Sequence, residues 1–457
     1  MPISGSRRSD YRSWGGTVAG EHLVYRPRSL ADARAALTAT GGASVLAYGN
    51  GRSYGDVGLN PGGRLIDCRG LDRFIEFDRQ TGIVTCEAGV RLADILAALC
   101  RPDPDGSGWF LPVSPGTRFV TVGGAIANDV HGKNHHREGC FGRHVLGLDL
   151  ARGDGSVLSC SPQSQPDLFA ATIGGLGLTG LILSARVQLR RVVGTGVEAE
   201  DIRFAGLDDF FALAAESEAG WEYTAAWIDC LATGAALGRG IFSRARHHAG
   251  IGVPPPALDP KIAIPFALPL SPLNRLTLLA FNTAYFHKLG RRGRRRWVGS
   301  YEKVLYPLDK IGDWNRLYGA RGFFQFQCVV PNTVARDAIA ELLARIAASG
   351  QGSMLAVLKT MGDLPSPGLL SFPMAGASLA LDFPDTGAPT RQLLAALEAI
   401  VVAAGGRLYP AKDSVMSAET FRRGYPRLPE FLRYTDPAMS SGFARRVGLD
   451  NRLREAA

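Results

Sequence analysis

His131, Lys133, His135 and His136 fall within the six residues HGKNHH. Such a cluster can bind an anion, move a proton or hold a metal. Imidazole titrates near neutral pH, and burial brings a lysine down toward the same range. The cluster closes a stretch, 115–136, crowded with small residues: Gly116, Thr117, Thr121, Gly123, Gly124, Ala125 and Ala127. Small residues let a backbone or a ligand come close. Glycine also accepts positive φ, and exposed N–H groups in such a loop cradle phosphate. The pattern is neither a P-loop nor GxGxxG, so a tight packing loop explains it as well as a phosphate site does. The HxxxHH spacing invites a metal. No HExxH or Cys/His framework accompanies it, and no metal site is expected.

The elements around this stretch decide how it is held. Residues 29–40 have a serine cap, helical spacing and a Gly41–Gly42 stop. ASVLAYGNGRSYGD reads as a buried strand entering a second glycine loop, with Arg52 and Tyr54 as candidates for function or as solvated turn residues. Residues 64–68 and 82–86 read as short strands, and EAGVRLADILAALC as a turn and helix. DLARGDGSVLS is a hairpin around Gly-Asp-Gly. PDLFAATIGGLGLTGLILSARVQL gives a helix, a third small-residue loop at 174–180 and a long strand. Residues 1–190 are thus an α+β unit with three glycine-rich loops, each beside a strand.

Beyond 195 the texture becomes more aromatic and basic. EAGWEYTAAWIDCL and ALGRGIFSRARHH read as strands. Residues 250–300 carry VPPPALDP and the basic run RRGRRRW, and read as a long mobile surface excursion: a solvated loop, or a contact for anionic lipid. FFQFQCVVP alternates as a strand with Gln325 and Gln327 on one face, suited to sugar hydroxyls or simply half exposed. Lys359 sits in the apolar strand MLAVLKTMG, at an edge or snorkelling. With ASLALDFP and the helices VARDAIAELLARIAASG and TRQLLAALEAIVVAAGG, the order suggests an antiparallel sheet with helices on one face. GGRLYPAKDS adds a short strand and a polar loop carrying Tyr409 and Lys412.

A length of 457 residues suggests two or three domains, and 46% hydrophobic with 20% charged residues is an ordinary globular composition. The formal net charge of +9 suits an anionic substrate or a membrane surface, and is weak support for nucleic acid. Seven scattered cysteines without CxxC argue against a disulfide framework or a zinc site and fit a reducing compartment. No secretory signal or membrane-spanning run is visible. The expected location is cytoplasmic or peripheral at the inner membrane, with the periplasmic side open.

GNGRSYGDVGLN, PGTRFVTVGGAIANDVHGKNHHREGCFGRHV, GGLGLTGLI, LSFP…LDFP and GGRLYPAKDSVMSAETFRRGYPRLPEF closely resemble the decaprenylphosphoryl-β-D-ribose 2'-oxidase family, FAD-linked oxidases of the vanillyl-alcohol oxidase type. The resemblance implies an α+β, two-domain fold. An FAD-binding domain of two α/β subdomains, 1–195, would be followed by a substrate domain, 196–405, and a segment, 406–457, returning to the FAD side.

The resemblance implies cofactor contacts from Gly49, Asn50, Gly51, Arg52, Ser53, Tyr54 and Gly55 in the first loop. From the second it implies Pro115, Gly116, Thr117, Thr121, Val122, Gly123 and Gly124, then Asn128, His131, Gly132 and Asn134. Gly177, Ile182 and Tyr409 complete the set. Implied substrate-side residues are Tyr54, His131, Lys133, Trp227, Gln325, Gln327, Lys359 and Lys412. The implied reaction removes hydride from C2' of a polyprenyl-phosphoryl ribose. Lys412 is the first candidate base and His131 the second, while Lys359 could pair with the substrate phosphate. An NAD-dependent reductase partner would complete an epimerisation to the arabinose form. No histidine lies in 47–57, where covalent relatives attach FAD, so FAD is expected to be non-covalent. Ala380 replaces the family's usual cysteine, so cysteine-directed inhibitors are expected not to bond here. An alditol or sugar-lactone oxidase, or a non-catalytic flavin-binding subunit, are the competing readings.

Overall fold

A computed structural model describes residues 4–39, 43–257, 260, 262–269 and 271–449. The first sheet has the order Ser6–Arg8, His22–Tyr25, Arg64–Asp67, Val45–Tyr48, and the last three strands are parallel. The helix Leu30–Thr38 makes the crossover, with the Ser29 side chain accepting from the Asp32 N–H. Gly41 and Gly42, read as its stop, lie outside the described residues, as do Leu258 and Asp259 of the Pro-rich segment and the tail from residue 450.

The second sheet has five antiparallel strands, ordered Phe74–Asp78, Ile83–Glu87, Leu181–Gln188, Val145–Ala151, Val157–Cys160. Its last two strands are the hairpin around Gly-Asp-Gly, where Gly155 has φ +88. The first glycine loop thus leaves a strand of the first sheet, Val45–Tyr48, and the third enters a strand of the second, Leu181–Gln188.

The third sheet has eight strands, ordered Arg294–Gly299, Val197–Phe204, Gly240–His247, Tyr223–Ile228, Val357–Met361, Gly376–Pro384, Phe323–Pro331, Arg407–Leu408. Its pairings are antiparallel throughout. Strand alternation divides its two faces. Phe324, Phe326, Leu358, Leu379, Leu381 and Phe383 join one hydrophobic cluster with residues of the helices Leu207–Ser217, Ala335–Ser349 and Ala388–Ala403. Gln325, Gln327, Lys359, Ser378, Ala380 and Asp382 alternate with them and line a cavity.

The segment 250–300 corrects the reading of a mobile excursion. It contains the helix Arg275–His287, started by an Asn274–Thr277 capping box, and the edge strand Arg294–Gly299. The basic run is largely an edge strand whose charge is met: Arg294 and Arg296 pair with Glu200, and Arg295 with Asp201. In the preceding helix Leu278 is buried, but three apolar residues face outward: Leu276, Leu279 and Phe281 are exposed. Among the described residues, no helix is long and apolar enough to cross a membrane.

Beyond Arg407–Leu408 the chain returns to the first sheet. The Val45 N–H donates to Ala438 O at 2.8 Å and the Ser440 N–H to Val45 O at 3.0 Å. Arg446 clamps Asp56 and Asp413 together at 2.8 and 2.9 Å. This segment brings Lys412 against Tyr54 of the first glycine loop and Tyr409 against Asn128 and His131 of the second.

Candidate active site

A cavity of about 580 Å³ lies between the glycine loops and the polar face of the large sheet. Its loop wall begins where Val45–Tyr48 ends. Gly51 has φ +61, and a Cβ there would lie 2.2 Å from the Tyr48 hydroxyl, so the turn requires glycine. The backbone N–H groups of Asn50, Gly51, Arg52 and Ser53 have no partner among the described residues. The Asn50 side chain donates to Phe119 O at 2.8 Å and so ties the first loop to the second. The Arg52 guanidinium lies 4.1 Å from the Trp14 ring centre and 5.4 Å from that of Phe119. Its Nε is buried without a partner among the described residues.

The second loop is committed to its own packing. The Val122 and Gly123 N–H groups donate to Val90 O and Ala88 O, both at 2.8 Å. The Gly124 N–H donates to the Thr121 hydroxyl, which caps the short helix Val122–Ala127. Gly116 is different: a Cβ there would meet nothing within 4 Å. Asn128 anchors its amide nitrogen on Gly124 O at 2.9 Å and leaves its Oδ1 buried and unpartnered. Free backbone donors, an unpaired guanidinium edge and an orphaned amide oxygen, all lining one cavity, fit the pyrophosphate and ring of FAD.

The sheet wall carries the titratable groups. Lys359 donates to His131 Nδ1 at 2.7 Å and to Gly132 O at 3.0 Å. His131 Nε2 meets the Gln327 amide at 3.1 Å. The imidazole packs against the stacked rings of Phe372 and Tyr409, 5.6 and 5.5 Å away, and the Tyr409 hydroxyl donates to Asn128 O at 2.9 Å. Burial, and then the Lys359 charge, hold the His131 pKa well below the ordinary imidazole value. Burial also brings Lys359 down to about 7, with Lys133 next in effect.

Lys133 donates to Val304 O, and burial brings it down to about 8. Lys412 is different in kind. Its Nζ lies 4.0 Å from the Tyr54 ring centre and has no hydrogen-bond partner among the described residues. Burial lowers its pKa, and Asp382 opposes that shift. Tyr54 packs edge-on against Phe323 at 5.5 Å.

The cavity thus brings together most of the residues singled out from sequence, across more than 350 positions. Three of them it does not. Val122 is fully buried in a hydrophobic cluster. Asn134 donates to Pro112 O at 2.7 Å and braces the backbone behind the cavity. Trp227 is paired in register with Val357 and shares its sheet face, but its ring packs on Tyr285 at 4.6 Å and its Nε1 donates to Met354 O. Sequence reasoning missed Asp382, whose Oδ1 accepts from Gln325 Nε2 at 2.6 Å. Its one available signal was the pairing of FFQFQ with LALDF, which places a carboxylate opposite a glutamine. Asp309, which accepts from the Arg118 N–H at 2.9 Å, was missed as well, because nothing local marks it.

Fold and site together define an FAD-binding oxidoreductase. Residues 22–161 match the family described as the FAD binding domain. Over 449 residues the chain is 37% identical to decaprenylphosphoryl-β-D-ribose oxidase of Mycolicibacterium smegmatis, covering 95% of each protein. It is 35% identical over 381 residues to an uncharacterised protein in the mprA 5' region of Streptomyces coelicolor, covering 79% of this chain and 99% of the other. It is 30% identical over 189 residues to mouse L-gulonolactone oxidase, covering 41% of each. The chain belongs to the decaprenylphosphoryl-β-D-ribose oxidase family.

Proposed function

We propose that this protein oxidises the 2'-hydroxyl of a polyprenyl-phosphoryl-β-D-ribose to the 2'-keto sugar, the first half of an epimerisation to the arabinose form. The observation that carries the reading is Lys412, a half-buried amine with no hydrogen-bond partner among the described residues, facing the cavity opposite a glycine loop whose N–H donors are equally uncommitted. Bound FAD supplies the hydride acceptor. The protein positions the sugar and removes the hydroxyl proton.

Lys412 takes that proton onto its neutral amine. His131 is the poorer base, because both ring nitrogens are engaged by Lys359 and Gln327. It orients the face of the cavity instead. Gln325 and Gln327 hold ribose hydroxyls, while Lys133 and Lys359 offer positive charge to the substrate phosphate. Arg52 and the free amides of its loop hold the cofactor pyrophosphate without a covalent bond.

A division into 1–195, 196–405 and 406–457 is supported by the cavity, which takes lining residues from all three parts. An NAD-dependent reductase consuming the keto sugar is the partner this reaction needs. Membrane contact falls to the exposed apolar face of Arg275–His287, aided by Lys288, Arg291 and Arg292, rather than to the paired arginines after them. Leu276, Leu279 and Phe281 changed to serine should lower flotation with anionic liposomes more than Arg294–Arg296 changed to serine; equal loss would return the contact to the basic run.

The test of the reaction is spectroscopic. Yellow protein that releases free FAD on acid denaturation, and bleaches when polyprenyl-phosphoryl ribose is added without oxygen, is the expected outcome. Bleaching by free alditols or sugar lactones but not by the lipid sugar would replace the substrate class. Flavin that no sugar reduces would point to a non-catalytic subunit.

A further inference from the structure

Several buried carboxylates of this protein have an arginine beside them. Asp67 has Arg69, Asp229 has Arg239, and Asp56 and Asp413 share Arg446. Asp382, in the strand Gly376–Pro384, has no lysine or arginine within 4 Å among the described residues, although it is only 1% exposed. Its backbone N–H donates to the Ser353 hydroxyl at 3.1 Å, so the residue is held in place. Its carboxylate lines the same cavity as Lys412. Bringing an isolated carboxylate into such a place is costly unless something answers its charge.

We infer that Asp382 is a positioning residue for the oxidation, which answers the charge the Lys412 amine gains on taking the proton and fixes the direction of the Gln325 amide. This rests on Lys412 being the base. Two features support it. Burial pushes the Asp382 pKa up to about 7, and above that its ionised carboxylate only accepts hydrogen bonds. The 2.6 Å contact therefore turns the Gln325 NH₂ toward Asp382 and leaves the amide oxygen to meet a donor such as a sugar hydroxyl. The second feature is that Asp382 and Lys412 line one cavity without closing into an ion pair within 4 Å. When the hydroxyl O–H breaks and the N–H forms on Lys412, the new ammonium faces Asp382, and its charge is answered without movement.

Other groups bear on the same amine. Tyr54 faces it from the first glycine loop, and Lys359 and His131 act on or are acted on by its charge from the strand Val357–Met361 and the second loop. Tyr54 and Tyr318 bear on Asp382. Of these groups only Asp382 is a carboxylate, and it favours the charged amine. Removing it leaves burial and the neighbouring cations to lower the Lys412 pKa further.

The experiment is the pH profile of anaerobic flavin reduction by saturating polyprenyl-phosphoryl ribose in the FAD-loaded protein. Wild type should lose rate on the acid side as Lys412 becomes protonated. Asp382→Asn should keep FAD and move that acid limb to lower pH by about one unit, the usual effect of an opposite charge nearby. A purely structural role would scale the rate equally at every pH, and an unmoved limb overturns the proposal. Gln325→Leu, which takes a hydrogen bond from the carboxylate, should move the limb in the same direction by less; it serves as the deciding variant if Asp382→Asn fails to hold FAD. Lys412→Ala separates the two ideas. If its profile keeps the wild-type limb, Lys412 is not the base. If the limb disappears while Asp382→Asn and Gln325→Leu match wild type, Lys412 stands and Asp382 has no part in it.

Discussion

The two walls of the cavity are built by opposite means. The loop wall offers mainly backbone, with amides at 50–53 left free by a left-handed glycine turn. The sheet wall offers side chains, set at alternate positions of three neighbouring strands and of the turn after Leu408. Backbone donors cannot titrate and barely move, which suits holding a cofactor. Buried amines and carboxylates respond to each other's charge, which suits moving a proton. The division teaches that binding and chemistry are separable here, and each wall can be damaged without the other.

The sharpest test of that separation is Lys412→Ala. It should slow flavin reduction by roughly 100- to 10,000-fold, the usual worth of general base catalysis, while FAD content per folded protein stays at the wild-type level. Loss of FAD in this variant would break the comparison. On the other wall, Gly51→Ala adds a Cβ 2.2 Å from the Tyr48 hydroxyl and strains a residue at φ +61. Left-handed strain alone is about 1–2 kcal/mol, so FAD should bind roughly tenfold or more weakly by flavin fluorescence titration. Whatever FAD is retained should be reduced at close to the normal rate. Gly123→Ala looks like the same change in the sequence but should act differently. Its Cβ would press on the Ala88 side chain at 3.0 Å, and its N–H is already used by Ala88 O. Overpacking of this kind costs about 1–3 kcal/mol, so thermal unfolding should shift down while FAD per folded protein holds.

These two glycines mark how far the sequence could be read. GNGRSYGD and PGTRFVTVGGA look alike as strings of small residues. Only the structure shows that the amides of one are free while residues 122–124 of the other are bonded to their surroundings. The regular elements were legible where periodicity or punctuation was strong: the Gly-Asp-Gly hairpin, the helices Ala335–Ser349 and Ala388–Ala403, and the strand placing Gln325 and Gln327 together. The helix Arg275–His287 was hidden by the prolines before it and by an apolar face that turns outward instead of into a core. The arginines after it read as a loop because their partners, Glu200 and Asp201, lie more than 90 residues away. Asp382 escaped for a similar reason. One carboxylate in an apolar strand carries no signal until its register opposite Gln325 is known. Trp227 is the converse: it lies on the right face, one strand too far from the cavity.

The smallest change tests the sheet wall as a bare scaffold. Ala380 lies between Gln327 and Val357 in register and lines the cavity. The wild-type cavity does contain a cysteine, Cys68, but that thiol is buried and pushed up to about 12, so it offers almost no thiolate. A cysteine-directed inhibitor of this family should therefore leave no adduct on residues 378–384 of the wild type, and none on Cys68. Ala380→Cys adds a single sulfur at a position that touches the chemistry without carrying it. Flavin reduction should stay within about twofold, since no charge, hydrogen bond or large volume is altered. Peptide mass mapping of this variant should now find the adduct on the introduced thiol if the two walls place the bound flavin against this strand. A variant that oxidises substrate normally yet never forms the adduct would mean that the reacting face of the cofactor lies elsewhere in the cavity, nearer Gln325 and Lys412 than Gln327. That outcome would redraw the sheet wall, while leaving the assignment of the loop wall to binding intact.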